Sequence, residues 1–442
     1  ETQFGQMALN VVDVAMLGHY DAAALPAMSL GNTLCWAVMT FCMGAITAVD
    51  PLLAQAVGAR DRPAITRTLL RGYLLAALLA LPAMLLLLPS ATWLSLLGQK
   101  DALVPGGATY AQLNTLGFLP FLWYSVTRSW LSSHSRLWPQ VLTIVLGNGL
   151  NALLDWAWIY GHLGCPELGV AGAAWATVVS RWTMLVLLLL ASRRELAPHL
   201  RHFTDAAVRR DALALRPLWR LFRLGAPIGA QFALEMGVFA LTALLVGRCD
   251  AAAGSDELGG PRLGGHQIAL QLAALSFMVP LGLGMGASVR VGWAVGRGDM
   301  PAARQTAVAA LLAGAGVMSG FMALFLSAPA ALAQLFTDQA DIVYWAVRLI
   351  PLAGVFQIGD GLQVVSIGCL RGIGDVRSPM LINVVGFWLL GLPLGCWLGL
   401  QQGHGPQGLW WGLVAGLFVV AVSLLWMVRR RFLGQHRRLG VD

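Results

Sequence analysis

The amino-acid sequence predicts an all-α integral membrane protein with twelve transmembrane helices. We expect two pseudo-two-fold-related six-helix bundles, an N-lobe and a C-lobe, with a central cavity. Of the 442 residues, 57% are hydrophobic and 11% are charged, whereas a soluble domain usually carries about 25% charged residues. Segments 56–64 and 294–302 are near-copies that begin 238 residues apart, and each lies between long apolar runs. Self-similarity at half the chain length indicates that one unit was duplicated.

Twelve apolar segments are long enough to cross a bilayer, since a helix needs about 20 residues to span a hydrocarbon core of about 30 Å. They are residues 1–19, 29–55, 66–89, 107–132, 139–161, 168–192, 218–248, 264–296, 303–328, 341–370, 378–400 and 408–428. Because each half has an even number of spans, both halves enter the membrane in the same direction. The chain opens at Glu1 inside an apolar run, so we expect a short segment before it, and no cleavable signal peptide is visible.

The two halves set the predicted domain organisation. Residues 1–192 form the N-lobe with helices 1–6, and residues 218–428 form the C-lobe with helices 7–12. Residues 193–217 are rich in arginine and histidine with little apolar periodicity, which predicts a cytoplasmic linker. Residues 429–442 are predicted to be a basic cytoplasmic tail.

The net charge of +8 reflects membrane topology. Of the 29 lysines and arginines, 23 fall on one set of connections and on the C-terminal tail, and three fall on the opposite set. Basic residues collect on cytoplasmic loops, so both termini are predicted to be cytoplasmic. The same distribution argues against a nucleic-acid partner.

Glycines recur every four residues in the last two spans and predict close helix packing there. They are Gly391, Gly395 and Gly399 in one span and Gly408, Gly412 and Gly416 in the next. Gly282 and Gly286 share a helix face in the same way, and we expect them to pack against a neighbouring helix.

Five carboxylates lie within predicted spans, where a charge costs at least about 2.5–3.5 kcal/mol and needs a partner or a function. They are Asp13, Asp50, Asp155, Glu235 and Asp360. Asn151 and Asp155 are four residues apart and share a helix face. Together with Asp13 they would form an oxygen cage for a cation, a proton-sharing cluster, or a polar network that only joins helices. Asp50 precedes Pro51 and is expected to cap or bend a helix.

Glu235 and Asp360 in the second half have no basic residue within helical reach. A buried carboxylate without a fixed partner either binds a proton or pairs with a mobile cation. An exporter of cations requires this property, and the alternative is a structural acid that stays protonated.

These features resemble the multidrug and toxic compound extrusion (MATE) family, in particular its NorM-like branch. The matching residues are Val12-Asp13-Val14, Ala56–Asp61, Leu150-Asn151…Asp155, Gly169–Thr177, Pro227…Glu235, Gly265–Ala269 and Asp360…Pro379. The resemblance covers almost the whole chain. It implies an N-lobe cation-coupling site of Asp13, Asn151, Asp155 and Thr177, where Na⁺ would bind if it is the coupling ion. In the C-lobe it implies a cation or substrate site of Glu235 and Asp360 with Gln267. A NorM-like tyrosine one turn before the span-ten acid is replaced here by Phe356, whose ring face would still contact a cation.

The resemblance implies a secondary antiporter in the bacterial inner membrane, working as a monomer. It would export lipophilic, mostly cationic compounds in exchange for H⁺ or Na⁺ by rocking of the two lobes, and it would need no cofactor. One alternative is a lipid-linked oligosaccharide flippase of the same superfamily, which should line its cavity with several arginines, whereas few lie within these spans. The other is an intramembrane enzyme, but neither a His-Glu-x-x-His nor a Gly-x-Ser-x-Gly motif occurs. The sequence leaves the coupling ion and the substrate range open.

Overall fold

A computed structural model of the protein describes residues 12–14, 16–18, 20, 24–201, 214–251, 260–434 and 438–439. This part of the chain is helical over most of its length and contains no β-strand. It divides into two compact units, one ending at Gly229 and the other running from Ala230 to Leu439. The division falls within a single long helix, so each unit contains one part of that helix.

The first unit contains ten helices in its described part, apart from the helical residues 12–14, 16–18 and 20. They are α1 (Ala24–Ile46), α2 (Val49–Gly58), α3 (Arg62–Leu87), α4 (Ser90–Leu96), α5 (Val104–Thr115), α6 (Phe118–Ser133), α7 (Trp138–Ile159), α8 (Val170–Ala191), α9 (Arg193–Arg201) and the first part of α10 (Leu215–Ala251). A short 3₁₀ turn, His162–Gly164, follows α7.

The second unit continues α10 and adds seven α-helices with two π-helical segments in its described part. They are α11 (Pro261–Gly296), α12 (Met300–Ser327), α13 (Pro329–Gln334), α14 (Ala340–Ile373), α15 (Arg377–Asn383), the π-helical segment Val384–Gly391, α16 (Leu392–Cys396), the π-helical segment Trp397–Gln401 and α17 (Gly405–Leu433).

Ten helical stretches among the described residues are long and apolar enough to cross a membrane. Of the other two predicted spans, residues 1–19 lie mostly outside the described part of the chain. The predicted span 107–132 consists of two helices, α5 and α6, which meet at Leu116 and Gly117. A Cβ atom at Gly117 would lie 3.0 Å from the Arg181 side chain, so the glycine leaves room for the half-buried arginine at this break.

Part of the predicted linker and the start of the predicted tail are helical, and each contacts the unit to which it belongs. Helix α9 lies within the predicted linker, and its His199 Nδ1 is 2.7 Å from Thr66 Oγ1 on α3. The last helix extends beyond the predicted residue 428 to Leu433. There Arg431 pairs with Asp375 at 2.8 Å, so the start of the predicted tail is anchored to the second unit.

The duplicated segments form the same local structure in the two units. Asp61 caps α3 by accepting a hydrogen bond from Ala64 N at 3.0 Å, and Asp299 caps α12 by accepting one from Ala302 N at 3.0 Å. The residue immediately before each aspartate turns the chain and has a positive φ, 57° at Arg60 and 76° at Gly298. The sequence repeat is therefore also a repeat of backbone geometry.

The glycine pattern of the last two spans is confirmed as a packing surface. Gly391, Gly395 and Gly399 lie against the backbone of α17 at its glycines, with no room for a side chain between the two helices. The corresponding prediction for Gly282 and Gly286 is wrong for the described part of the chain, since a Cβ atom at either position would meet no described atom within 4 Å. Gly284, on another face of α11, is the glycine that contacts α14. Because it has no side chain, the Val364 backbone and Gly368 of α14 approach it closely.

Candidate functional site

The first helical segment is fixed against the first unit by apolar and polar contacts. Leu17 is fully buried in a cluster with Met28 of α1, Tyr110 of α5 and Ile159 of α7. The Tyr160 hydroxyl donates to the Met16 carbonyl oxygen at 2.7 Å. Asp13 lies one helical turn before Leu17, so these contacts set the position of its carboxylate.

The structure brings together the four N-lobe residues that the resemblance implied. Thr177 on α8 donates its hydroxyl to Asp13 Oδ2 at 2.9 Å. Asn151 and Asp155, one turn apart on α7, both lie next to the Asp13 carboxyl group. All four side chains are buried, with exposed fractions of 4% or less.

Most polar atoms of this N-unit acid cluster, defined as Asp13, Asn151, Asp155 and Thr177, lack a hydrogen-bond partner among the described residues. Asp13 Oδ1, both carboxyl oxygens of Asp155 and both amide atoms of Asn151 are buried and unsatisfied. Burying such atoms without a partner is costly. The arrangement has oxygen atoms available to hold a proton between the carboxyl groups or to coordinate a small hard cation.

Glu235 in the second unit is held by neutral hydrogen-bond donors. Asn383 Nδ2 donates to Glu235 Oε1 at 2.7 Å, and Gln363 Nε2 donates to the same oxygen. Gln363 Oε1 and Asn383 Oδ1 are buried without a partner in the described part of the chain. The glutamate is thus positioned by two amides, which leave their own oxygens free to bind a cation or water.

Two further charged residues act on Glu235. Asp360 on α14 is half-buried and close enough to Glu235 for the two carboxyl groups to interact through their charges. Arg371, at the end of α14, also interacts with Glu235 through its charge. Its Nη2 donates to Gln231 Oε1 at 3.3 Å, and its guanidinium carbon lies 5.0 Å from the centroid of the Phe232 ring. The sequence showed no basic residue within helical reach, and the tertiary structure supplies one from another helix.

Phe356 packs among aromatic rings, and Gln267 is exposed. Phe356 is 3% exposed, and its ring packs edge-to-face with Phe239 and Trp410, each at a centroid distance of 6.2 Å. Gln267 is exposed on α11 and makes no hydrogen bond to Glu235 or Asp360. The structure therefore does not bring Gln267 into the hydrogen-bonded group around Glu235.

Sequence reasoning missed Gln363, Asn383 and Arg371 as neighbours of Glu235. Each comes from a different segment of the chain than the glutamate, and only folding places them together. A weak signal was present for Gln363, which lies three residues after Asp360 and therefore on a nearby helix face.

Comparison with known proteins gives the family. The MatE family model matches residues 2–157 and 227–397. The chain is 36% identical over 438 residues to the probable multidrug resistance protein NorM of Burkholderia pseudomallei, covering 97% of this chain and 90% of the relative. It is 35% identical over 431 residues to the multidrug resistance protein NorM of Burkholderia vietnamiensis, covering 96% and 90%.

Solved structures share the fold at lower identity. The crystal structure of a eukaryotic MATE transporter superposes with a TM-score of 0.82 at 22% identity, covering 96% of this chain and 92% of that one. An outward-facing multidrug resistance MATE family transporter of the MOP superfamily gives 0.81 at 19% identity, covering 98% and 93%. These values establish the twelve-helix, two-lobed architecture.

Long apolar helices in two units, each with carboxylates inside the spans, define a multi-pass membrane transporter. The chain belongs to the MATE family, which is a transporter family and not an enzyme family. The resemblance to the MATE family that the sequence motifs indicated is thereby confirmed.

Proposed function

We propose that this protein is an antiporter that exports lipophilic, mostly cationic drugs and toxic compounds in exchange for H⁺ or Na⁺. The observation that carries the proposal is the pair of acid sites, buried in the first unit and half-buried in the second, whose hydrogen-bond donors are neutral. The names of the NorM relatives support multidrug export. We further propose that the protein lies in the bacterial inner membrane as a monomer with both termini cytoplasmic.

The proposed cycle follows from the charge of the carboxyl groups. In one orientation of the two lobes, the ionised acids attract a cationic, lipophilic substrate. After the lobes move, H⁺ or Na⁺ neutralises or occupies the acids, and the substrate loses its counter-charge and leaves. Exchange requires that the two cations compete or favour different conformations.

Each proposed site residue has a role in this cycle. Asp13 and Asp155 would bind the coupling cation with help from Asn151 and Thr177. Glu235 and Asp360 would bind the coupling cation or the substrate, and Phe356 would shape the apolar surface beside Asp360. Gln267, which is exposed, would contact substrate only from the edge of this site. No cofactor takes part in the proposed exchange.

Ethidium release from proteoliposomes tests the proposal, with pH and Na⁺ gradients imposed separately. We expect one of the two gradients to drive release. Asp13→Asn, Glu235→Gln and Asp360→Asn should each lower the rate at least about tenfold, equivalent to about 1.4 kcal/mol, because each removes a charge that must be exchanged. Asp341→Asn, at an exposed position in the first turn of α14, is the matched control and should transport normally.

Two outcomes would contradict the proposal. If neither gradient drives ethidium release by the folded wild-type protein, it is not an antiporter of this cation. If all three acid variants transport at the wild-type rate, these acids do not couple the exchange.

A further inference from the structure

His266 on α11 is a fully buried histidine in the second unit. Trp410 Nε1 on α17 donates to His266 Nδ1 at 3.1 Å, and the two rings meet edge-to-face with their centroids 5.8 Å apart. Gly265, the preceding residue, lies against α14, since a Cβ atom there would come within 2.7 Å of Ala346 N. Contacts to both α14 and α17 therefore fix the position of the histidine.

The tautomer of His266 indicates that packing alone does not explain this residue. Because Nδ1 accepts the indole N–H, the neutral imidazole carries its proton on Nε2. Nε2 is buried and has no hydrogen-bond partner among the described residues. A buried donor without a partner costs stability, and an apolar side chain of similar size would not incur this cost. What the histidine supplies in return is the acceptor for Trp410.

The indole that His266 holds is one end of a row of three aromatic rings, defined as Trp410, Phe356 and Phe239. Trp410 packs edge-to-face on Phe356 of α14, and Phe356 packs edge-to-face on Phe239 of α10, with a centroid distance of 6.2 Å in both pairs. Trp410 and Phe356 are only 1% and 3% exposed. In a close-packed interior a shift of the indole displaces the rings next to it.

The aromatic row ends beside the two acids of the second unit. Phe239 follows Glu235 by one helical turn on α10, and Phe356 precedes Asp360 by one turn on α14. Residues four apart share a helix face, so the contact between the two phenylalanines lies one turn from both carboxyl groups. The spacing of α10 and α14 at this contact therefore affects the distance between the acids.

We propose that His266 is a positioning residue for the site of Glu235 and Asp360. By fixing the Trp410 indole against Phe356, it sets the spacing of the two helices that carry the acids, and thereby the affinity for a cationic substrate. The inference rests on the proposed function of these acids and adds a residue that touches neither of them. Sites of this kind need supporting side chains whose own orientation is locked by packing and hydrogen bonds.

Replacing the histidine tests the positioning role. His266→Leu removes the acceptor, and we expect it to weaken ethidium binding about fivefold, the size of effect that loss of one hydrogen bond produces. The dissociation constant is measured by fluorescence anisotropy on the purified protein in detergent. In proteoliposomes the KM for ethidium should rise by the same factor at an unchanged maximal rate, because the acids themselves remain. A merely structural role would lower the maximal rate and leave KM unchanged.

Three further variants separate the hydrogen bond from side-chain volume. His266→Asn keeps an acceptor near the position of Nδ1 and should bind ethidium within about twofold of wild type. Trp410→Phe removes the indole N–H and should weaken binding at least as much as His266→Leu. Combining the two should add little to Trp410→Phe alone, because both remove the same hydrogen bond. Trp411→Phe is the matched control, since this neighbouring side chain is 49% exposed, and it should bind like wild type.

The inference is overturned if His266→Leu keeps the wild-type dissociation constant and KM, or if His266→Asn weakens binding as much as His266→Leu. It is also overturned if the effects of His266→Leu and Trp410→Phe add in full. The antiport function fails on a different result, namely a wild-type protein that binds ethidium but exchanges it for neither H⁺ nor Na⁺. In that case the dissociation constants still decide the role of His266.

Discussion

The acids of the two units differ in burial and in the groups that bind their oxygen atoms. Asp13 accepts one hydrogen bond from a hydroxyl, and both oxygens of Asp155 are unsatisfied. Glu235 instead receives two amide donors on a single oxygen. The first unit therefore holds buried carboxyl oxygens without a partner among the described residues, which suits cation coordination, whereas the second unit holds its glutamate in a defined orientation.

Thr177 gives a direct test of the contact to Asp13. A hydrogen bond to a charged group contributes about 1.5–3 kcal/mol, and Thr177→Val removes it with little change in side-chain volume. We expect the valine variant to transport ethidium at least about tenfold more slowly than wild type. Thr177→Ser keeps the hydroxyl and should retain most of the activity. Equal transport by the two variants would show that the hydroxyl has no part in coupling.

At the scale of elements, the packing of the predicted span 378–400 against α17 depends on glycine. The first of these helices contains two segments of π-helical turns, Val384–Gly391 and Trp397–Gln401. Such wide turns are rare and often occur at functional sites. Within and between these segments the backbone contacts α17 directly through Gly391, Gly395 and Gly399. Close approach of backbones replaces side-chain interdigitation as the packing mode.

Glycine substitution measures this packing. A Cβ atom at Gly412 would collide with Gly395 Cα, so Gly412→Ala should force the helices apart. Overpacking costs about 1–3 kcal/mol, and we expect a clear decrease in the thermal unfolding temperature of the purified protein in detergent. Gly282→Ala is the matched control, since its Cβ atom would meet no atom of the described residues within 4 Å. A Gly412→Ala protein that is as stable as Gly282→Ala would contradict the packing role.

At the scale of the whole molecule, the charge distribution predicts the orientation in the membrane. With both termini cytoplasmic and twelve spans, the connection between α7 and α8 lies on the outer side of the membrane. This connection contains Cys165, which is a free and partly exposed cysteine. The native sequence thus carries its own topology probe.

Thiol labelling tests the orientation. A membrane-impermeant maleimide added to intact spheroplasts should label Cys165, and Cys165→Ser should lose that signal. Gly434→Cys in a Cys165→Ser background, just after α17, should react only after the membrane is permeabilised. The reverse pattern would place the termini on the outside and would contradict the inference from arginine distribution.

Much of the fold was accessible from the sequence because it depends on local composition. Apolar segments of sufficient length must be helical in a bilayer, since every backbone polar group needs an internal partner there. The Asp61 and Asp299 caps could be predicted as equivalent because the same residues recur around them. The close approach of Gly117 to Arg181 could not, because the arginine lies 64 residues later in the chain.

The sequence by itself determined the membrane class, the duplicated halves and the acids within the spans, because hydrophobicity, repetition and charge are properties of contiguous residues. Only the tertiary structure decided which groups surround those acids. Gln363 and Asn383 hold Glu235, and Thr177 holds Asp13, through hydrogen bonds between helices that are far apart in sequence. A buried charge interacts with whatever the neighbouring helices present to it, and periodicity within one helix does not reveal those partners.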